Sequence, residues 1–150
     1  MKDGLGPVMI EKIKWNSKYN VGIAEIDFQH QYFLKLINRL AFNHEVLAEK
    51  GLIQTHLSEL DKYARFHFKS EENIMILVDY PGLTHHIQLH IDLIDKLSYQ
   101  TFQAAGSTES MSHFIIFLTE WFLNHTVDQD RELGEYIEKV GGDFSGFFDQ

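Results

Sequence analysis

The chain has 150 residues, of which 44% are hydrophobic, and this size and composition predict one compact domain (1–150) with its own core. It contains no cysteine, which excludes disulfides, iron–sulfur clusters and covalently attached haem, and which suits a reducing compartment. A formal net charge of -9 argues against a nucleic-acid partner, because binding to phosphates needs clustered lysine and arginine.

The first 20 residues, with Gly4, Gly6 and Pro7 ahead of Trp15, predict an extended N-terminal arm (1–20) that Trp15 anchors to the rest of the protein. Charged residues interrupt every apolar run in this region. We therefore expect neither a signal peptide nor a membrane span, no membrane partner, and a cytoplasmic protein.

Apolar residues recur at helical spacing in the next two segments. The first predicted helix contains Ile23 and ends near His44. The second runs from Ile53 to Val78. The turn signal at 79–82 stops it, because a proline there restricts the residue before it and a glycine can adopt positive φ.

Two further helical patterns follow. The third runs through His86 to Leu97 and fades near 104, and the fourth runs from Met111 to His125. A short amphipathic helix then extends to Val140. These patterns predict an all-α fold, an antiparallel up-down-up-down four-helix bundle over 21–140 with a short C-terminal helix. A phenylalanine-rich tail (141–150) follows, which we expect to fold back over a hydrophobic groove; the alternative is a partner-binding motif.

Seven side chains that can bind metals lie on the apolar faces of these helices: His30, His67, Glu71, His86, His90, His125 and Asp130. His67 and Glu71 are four residues apart, as are His86 and His90, so each pair shares one helix face. Asp130 follows His125 by five residues, which turns it off that face unless the helix has a π-type bulge or bends. The sequence leaves both alternatives open.

A single inward histidine is usually a core residue whose ring hydrogen-bonds to a backbone carbonyl. Burying five imidazoles and two carboxylates without a metal would cost several kcal/mol. Seven donors are too many for one tetrahedral zinc, and imidazole with carboxylate suits first-row transition metals. We therefore interpret the set as a metal site and the remaining four histidines as surface or boundary residues: His44, His56, His85 and His113.

The chain resembles the hemerythrin family, specifically the single-domain bacterial hemerythrins, over roughly residues 13 to 137. The resemblance is carried by Trp15, 21–23, 26–30, His67-Phe68, Glu71-Glu72, Met75, Tyr80-Pro81, His86, His90, Trp121, His125 and Asp130. It implies two non-haem iron ions inside a four-helix bundle. By resemblance, His86, His90 and His125 hold one iron and His30 and His67 the other. Glu71, Asp130 and an oxo or hydroxo group bridge the two, so the open position belongs to the iron of His30 and His67.

The resemblance also implies reversible binding of dioxygen, for transport, storage or sensing, and binding of small anions such as azide to the oxidised form. We expect no catalytic residues, because di-iron oxidases typically use Glu-x-x-His motifs and no histidine here has a glutamate three residues before it. The alternatives are a di-iron oxidase or oxygen scavenger, and a signalling module read by a separate, unidentified protein.

One residue departs from the family pattern. Most members have leucine directly after the tryptophan of the fourth helix, whereas Phe122 follows Trp121 here. Phe122 lies nearly one helical turn before His125, so we predict that it walls the oxygen pocket. The alternative is an ordinary core aromatic.

Overall fold

The computed structural model describes residues 13–104 and 108–141, and within these ranges all regular structure is helical. The elements are a 3₁₀ turn Ser17–Tyr19, α1 (Ala24–Phe42), α2 (His44–Glu49), α3 (Ile53–Leu77), α4 (Leu83–Ala104), α5 (Thr108–Asn124), a π-helix His125–Asp130 and α6 (Arg131–Val140). The all-α prediction is confirmed. No helix in the described ranges is long and apolar enough to cross a membrane.

The four long helices form a closed ring, in which α1 packs on α3, α3 on α4, α4 on α5 and α5 on α1. Short connections between consecutive helices make neighbours antiparallel, as in the predicted bundle. Each helix contributes side chains that are almost completely buried, including Ile37, Leu57, Leu97 and Phe114. Burial of these apolar faces is the main force that holds the helices together.

The core consists of two hydrophobic clusters. The larger contains Phe33 and Phe68, and the smaller contains Ile26 and Ile74. Along α1, His30 lies between Ile26 and Phe33 in sequence, and along α3 the ligand candidate Glu71 lies between Phe68 and Ile74. The predicted ligands therefore form a polar layer between two apolar ones.

The connection after α1 differs from the prediction. The helix ends at Phe42, and the separate short helix α2 follows before α3 begins. Within α2 only Leu47 is buried. One inward residue in a single short segment has no detectable periodicity, so the pattern could not predict this helix.

A π-helix resolves the alternatives that the sequence left open beyond α5. It spans His125–Asp130, so the backbone widens at the point where the ligand spacing is five residues. Hydrogen bonding from i to i+5 returns residue i+5 to the face of residue i, which keeps His125 and Asp130 together.

The segment before α1 is attached at two places. Trp15 packs against the larger cluster, as predicted, and Asn38 of α1 bonds to both the backbone N–H and C=O of Ile13. At the other end, a Cβ on Gly134 would lie only 1.7 Å from the backbone oxygen of Val21. Glycine is therefore required where this segment crosses α6. The expectations for residues 1–12 and for the tail beyond Gly141 lie outside the described residues.

Candidate metal centre

The seven predicted ligands meet inside the bundle, and none is more than 6% exposed. They come from α1 (His30), α3 (His67 and Glu71), α4 (His86 and His90) and the π-helix (His125 and Asp130). Their donor atoms form two groups that share both carboxylates. We call these the two-histidine group (His30 and His67) and the three-histidine group (His86, His90 and His125).

In the two-histidine group, the Nε2 atoms of His30 and His67 lie 3.0 Å apart. His67 Nε2 is 2.7 Å from Glu71 Oε2, and His30 Nε2 is 3.0 Å from Asp130 Oδ2. Four donor atoms therefore surround one point.

In the three-histidine group, His86 Nε2 lies 3.3 Å from both Glu71 Oε1 and Asp130 Oδ1. His90 Nε2 is 3.1 Å from Glu71 Oε1, and His125 Nε2 is 3.2 Å from Asp130 Oδ1. Each carboxylate thus turns one oxygen toward each group, which is the arrangement of a ligand that bridges two cations.

The donor set fits metal ions. Ligands at right angles around a metal with bonds of about 2.1 Å lie about 3 Å apart, close to the shorter spacings in both groups. Glu71 Oε2, both oxygens of Asp130 and His125 Nε2 are buried and form no hydrogen bond within the described residues, although other ligand atoms lie nearby. Buried polar atoms without partners are costly, and a cation in each group would satisfy these atoms together.

Burial and neighbouring charges shift the pKa values of three predicted ligands in the metal-free chain. Burial alone would lower the pKa of His67, but the neighbouring Glu71 and Asp130 outweigh burial and raise it to about 9. The pKa of His86 likewise rises to about 9 against the effect of burial. Burial would raise the pKa of Glu71, yet the His67 charge beside it holds that pKa well below its usual range. Because these pKa values are raised, a cation that binds Nε2 of either histidine has to displace a proton.

Two further residues contact Nδ1 of predicted histidine ligands, the ring nitrogen that points away from the ligand groups. His67 Nδ1 lies 2.8 Å from Gln29 Oε1, and His90 Nδ1 lies 2.8 Å from Glu72 Oε2. A proton on Nδ1 that is donated outward leaves the Nε2 lone pair free to bind a metal. The sequence patterns give neither residue a role. The one signal in the sequence is that Gln29 and Glu72 directly adjoin the predicted ligands His30 and Glu71.

A cavity of about 10 Å³, roughly the space of one water molecule, borders the two-histidine group. It is lined by His30, Phe33, Ala64, His67, Phe68, Trp121, Phe122, His125 and Thr126. The Phe122 ring stands edge-on to His30, with centroids 5.7 Å apart, and stacks on Phe33. Phe122 therefore lies at the cavity beside His30, and its role as the wall of an oxygen pocket stays a prediction.

The other four histidines lie apart from the centre. His44 and His56 are half-buried, and His85 and His113 are exposed. None belongs to either ligand group. Their predicted surface or boundary positions are confirmed.

Comparison with known proteins supports the same assignment. Residues 21–137 match the family model described as "Hemerythrin HHE cation binding domain". The chain is 25% identical to a bacteriohemerythrin of Clostridium acetobutylicum, over 79% of this chain and 95% of that protein. It is 30% identical to a hemerythrin-like protein of Naegleria gruberi (77% and 86% covered) and 25% identical to a myohemerythrin of Riftia pachyptila (74% and 82%). The chain therefore belongs to the hemerythrin family, typically non-enzymatic oxygen-binding proteins with non-haem iron.

Proposed function

We propose that this protein binds dioxygen reversibly at a di-iron centre. The observation that carries the proposal is the shared position of Glu71 and Asp130, each with one oxygen toward the two-histidine group and one toward the three-histidine group. A centre of this kind needs two unequal metal positions, and the donor atoms form two unequal groups.

In this proposal His86, His90 and His125 would hold one iron, and His30 and His67 would hold the other. Glu71 and Asp130, each with one oxygen toward each group, would be shared by both irons, and a solvent-derived oxo or hydroxo group would complete the centre. The iron of His30 and His67 would have one protein ligand fewer, which would leave room there for dioxygen. When bound, the two ferrous ions supply the electrons that dioxygen takes up and returns.

The protein contributes space and a dry environment at the open position. The cavity lies beside His30 and His67, and Phe33, Ala64 and Phe122 form apolar parts of its wall. Such a wall excludes water and disfavours larger or charged ligands. The two carboxylates and one bridging hydroxide also offset most of the charge of two ferrous ions, which makes the buried centre tolerable.

The ligand set favours binding over turnover. Oxidase bundles typically add carboxylates and Glu-x-x-His motifs. Here only Glu71 and Asp130 contribute carboxylates to the two ligand groups within the described residues. Transport, storage and sensing share these ligands. We propose a cytoplasmic location, in keeping with the absence of cysteine.

The test is an anaerobic titration of the ferrous protein with dioxygen, followed by flushing with argon and monitored by absorption spectroscopy. We expect uptake of one dioxygen per two irons and recovery of the ferrous spectrum after flushing. The metal-free protein should take up none. Stoichiometric consumption of dioxygen without recovery would contradict the proposal and indicate an oxidase or scavenger.

A further inference from the structure

The two ligand groups differ in the residues behind them. His90 of the three-histidine group faces a carboxylate, Glu72, whereas His67 of the two-histidine group faces a neutral amide, Gln29, and both N···O distances are 2.8 Å. The Nδ1 atoms of His30 and His125 form no hydrogen bond within the described residues. His90 and His67 are thus two predicted ligands whose Nδ1 partners differ in charge at the same distance.

We propose that Glu72 is a positioning residue that makes the iron of the three-histidine group the more electron-rich of the two and strengthens its binding. Gln29, which is neutral, adds no such negative charge near the oxygen-binding iron. This inference rests on the proposed di-iron function. A histidine that donates its Nδ1 proton to a carboxylate gains imidazolate character, and its Nε2 becomes a stronger metal ligand. An amide oxygen accepts the same proton but adds no negative charge.

The neighbours of Glu72 neutralise its negative charge only weakly, so that the charge acts mainly on His90. The side chain is 14% exposed, so water screens it only partly. Its other partner is Lys69, whose Nζ lies 3.5 Å away and whose side chain is 71% exposed. An ion pair with an exposed lysine is weak and screened by solvent. The hydrogen bond to His90 is the shorter and more buried contact.

Gln29 is fixed with its oxygen toward His67. Its Nε2 donates to Glu25 at 3.4 Å, which places the amide oxygen on the side of the imidazole. The side chain is 3% exposed, and Tyr63 donates its hydroxyl proton to the backbone oxygen of the same residue. The Glu25 carboxylate thus hydrogen-bonds to the Gln29 amide, and the Gln29 amide in turn contacts His67.

The experiment uses two separate variants, one that removes the negative charge beside His90 and one that adds a negative charge beside His67. Glu72→Gln keeps an oxygen that can accept the His90 proton and removes the negative charge. Gln29→Glu adds a negative charge behind His67. Two quantities are measured on the iron-loaded protein without dioxygen, namely the rate of iron loss to a chelator and the midpoint potential of the ferric/ferrous couple. Lys69→Gln, which removes only the exposed partner of Glu72, is the matched control.

For Glu72→Gln we expect iron loss about tenfold faster and a more positive midpoint potential, because the ferric state loses a stabilising charge. Gln29→Glu should shift the potential in the negative direction, and Lys69→Gln should leave both quantities close to those of the parent. A folded Glu72→Gln protein with the parent's potential and iron retention would overturn the inference. Because neither measurement uses dioxygen, a failure of reversible oxygen binding would contradict the proposed function alone.

Discussion

The two ligand groups use the same kinds of donor yet surround their metal positions differently. On α4, His86 and His90 stand one helical turn apart, and both face the carboxylates. On α1, the residue one turn after His30 is the buried Leu34, which cannot bind a metal. The two-histidine group therefore has one ligand fewer and borders a cavity. We therefore expect the open metal position on the side of His30 and His67.

The largest effect on iron content is expected from removing either of the two carboxylates that both ligand groups share. Glu71→Ala or Asp130→Ala takes a ligand from both proposed irons, so we expect loss of most iron and a lower melting temperature of the purified protein. Iron content per chain and thermal unfolding measure both effects. His44→Ala and His56→Ala serve as controls and should keep two irons per chain. Equal losses in the controls would contradict the assignment.

Removing a histidine from one group should affect the two irons unequally. We expect His67→Ala to abolish oxygen binding and to loosen one iron while the other is retained, because the three-histidine group keeps all its imidazoles. His86→Ala should instead release iron from the three-histidine group. His85→Ala, a change at the exposed neighbouring position, is the control. Iron content and oxygen uptake distinguish these variants, and identical losses from both groups would remove the proposed asymmetry.

Azide should locate the open position directly. We expect one azide to bind the oxidised protein on the iron of the two-histidine group, because both histidines of that group line the cavity, whereas only His125 of the other group does. A crystal structure of the azide adduct would show the site. Azide on the iron held by His86, His90 and His125 would show that the ligands had been allocated to the wrong metals.

The smallest effect on oxygen binding is expected at the wall of the cavity. Phe122 is 4% exposed, so Phe122→Ala should cost about 3 to 5 kcal/mol of stability. It should also accelerate autoxidation, since a smaller side chain admits water and anions. Phe122→Leu should change oxygen dissociation only mildly. Stopped-flow dissociation and autoxidation rates decide this, and unchanged rates in a folded Phe122→Ala protein would mean that the residue only packs the core.

The helices and the candidate ligands could be predicted because both follow from local patterns. Apolar residues at helical spacing define the buried face of each helix, and a spacing of four places His67 with Glu71 and His86 with His90. Five histidines and two carboxylates on such faces predict a metal site, since nothing else satisfies so many buried donors. These inferences need no knowledge of how the helices pack.

Other features depend on contacts between segments that are distant in sequence. The sequence leaves a π-helix and a bend as alternatives, and the structure has the π-helix, with Asp130 beside His30, a residue 100 positions earlier. Gln29 and Glu72 acquire their roles only because α1 packs on α3 and α3 on α4. The need for glycine at position 134 likewise arises from the approach of Val21.

The sequence by itself thus determined the fold class and the chemical identity of the candidate metal ligands, because helical periodicity and donor chemistry are properties of short segments. Tertiary structure decided which donor atoms form each ligand group, which residues contact Nδ1 of His67 and His90, and where the cavity lies. Those features depend on distances between helices, and no spacing within a single helix encodes them.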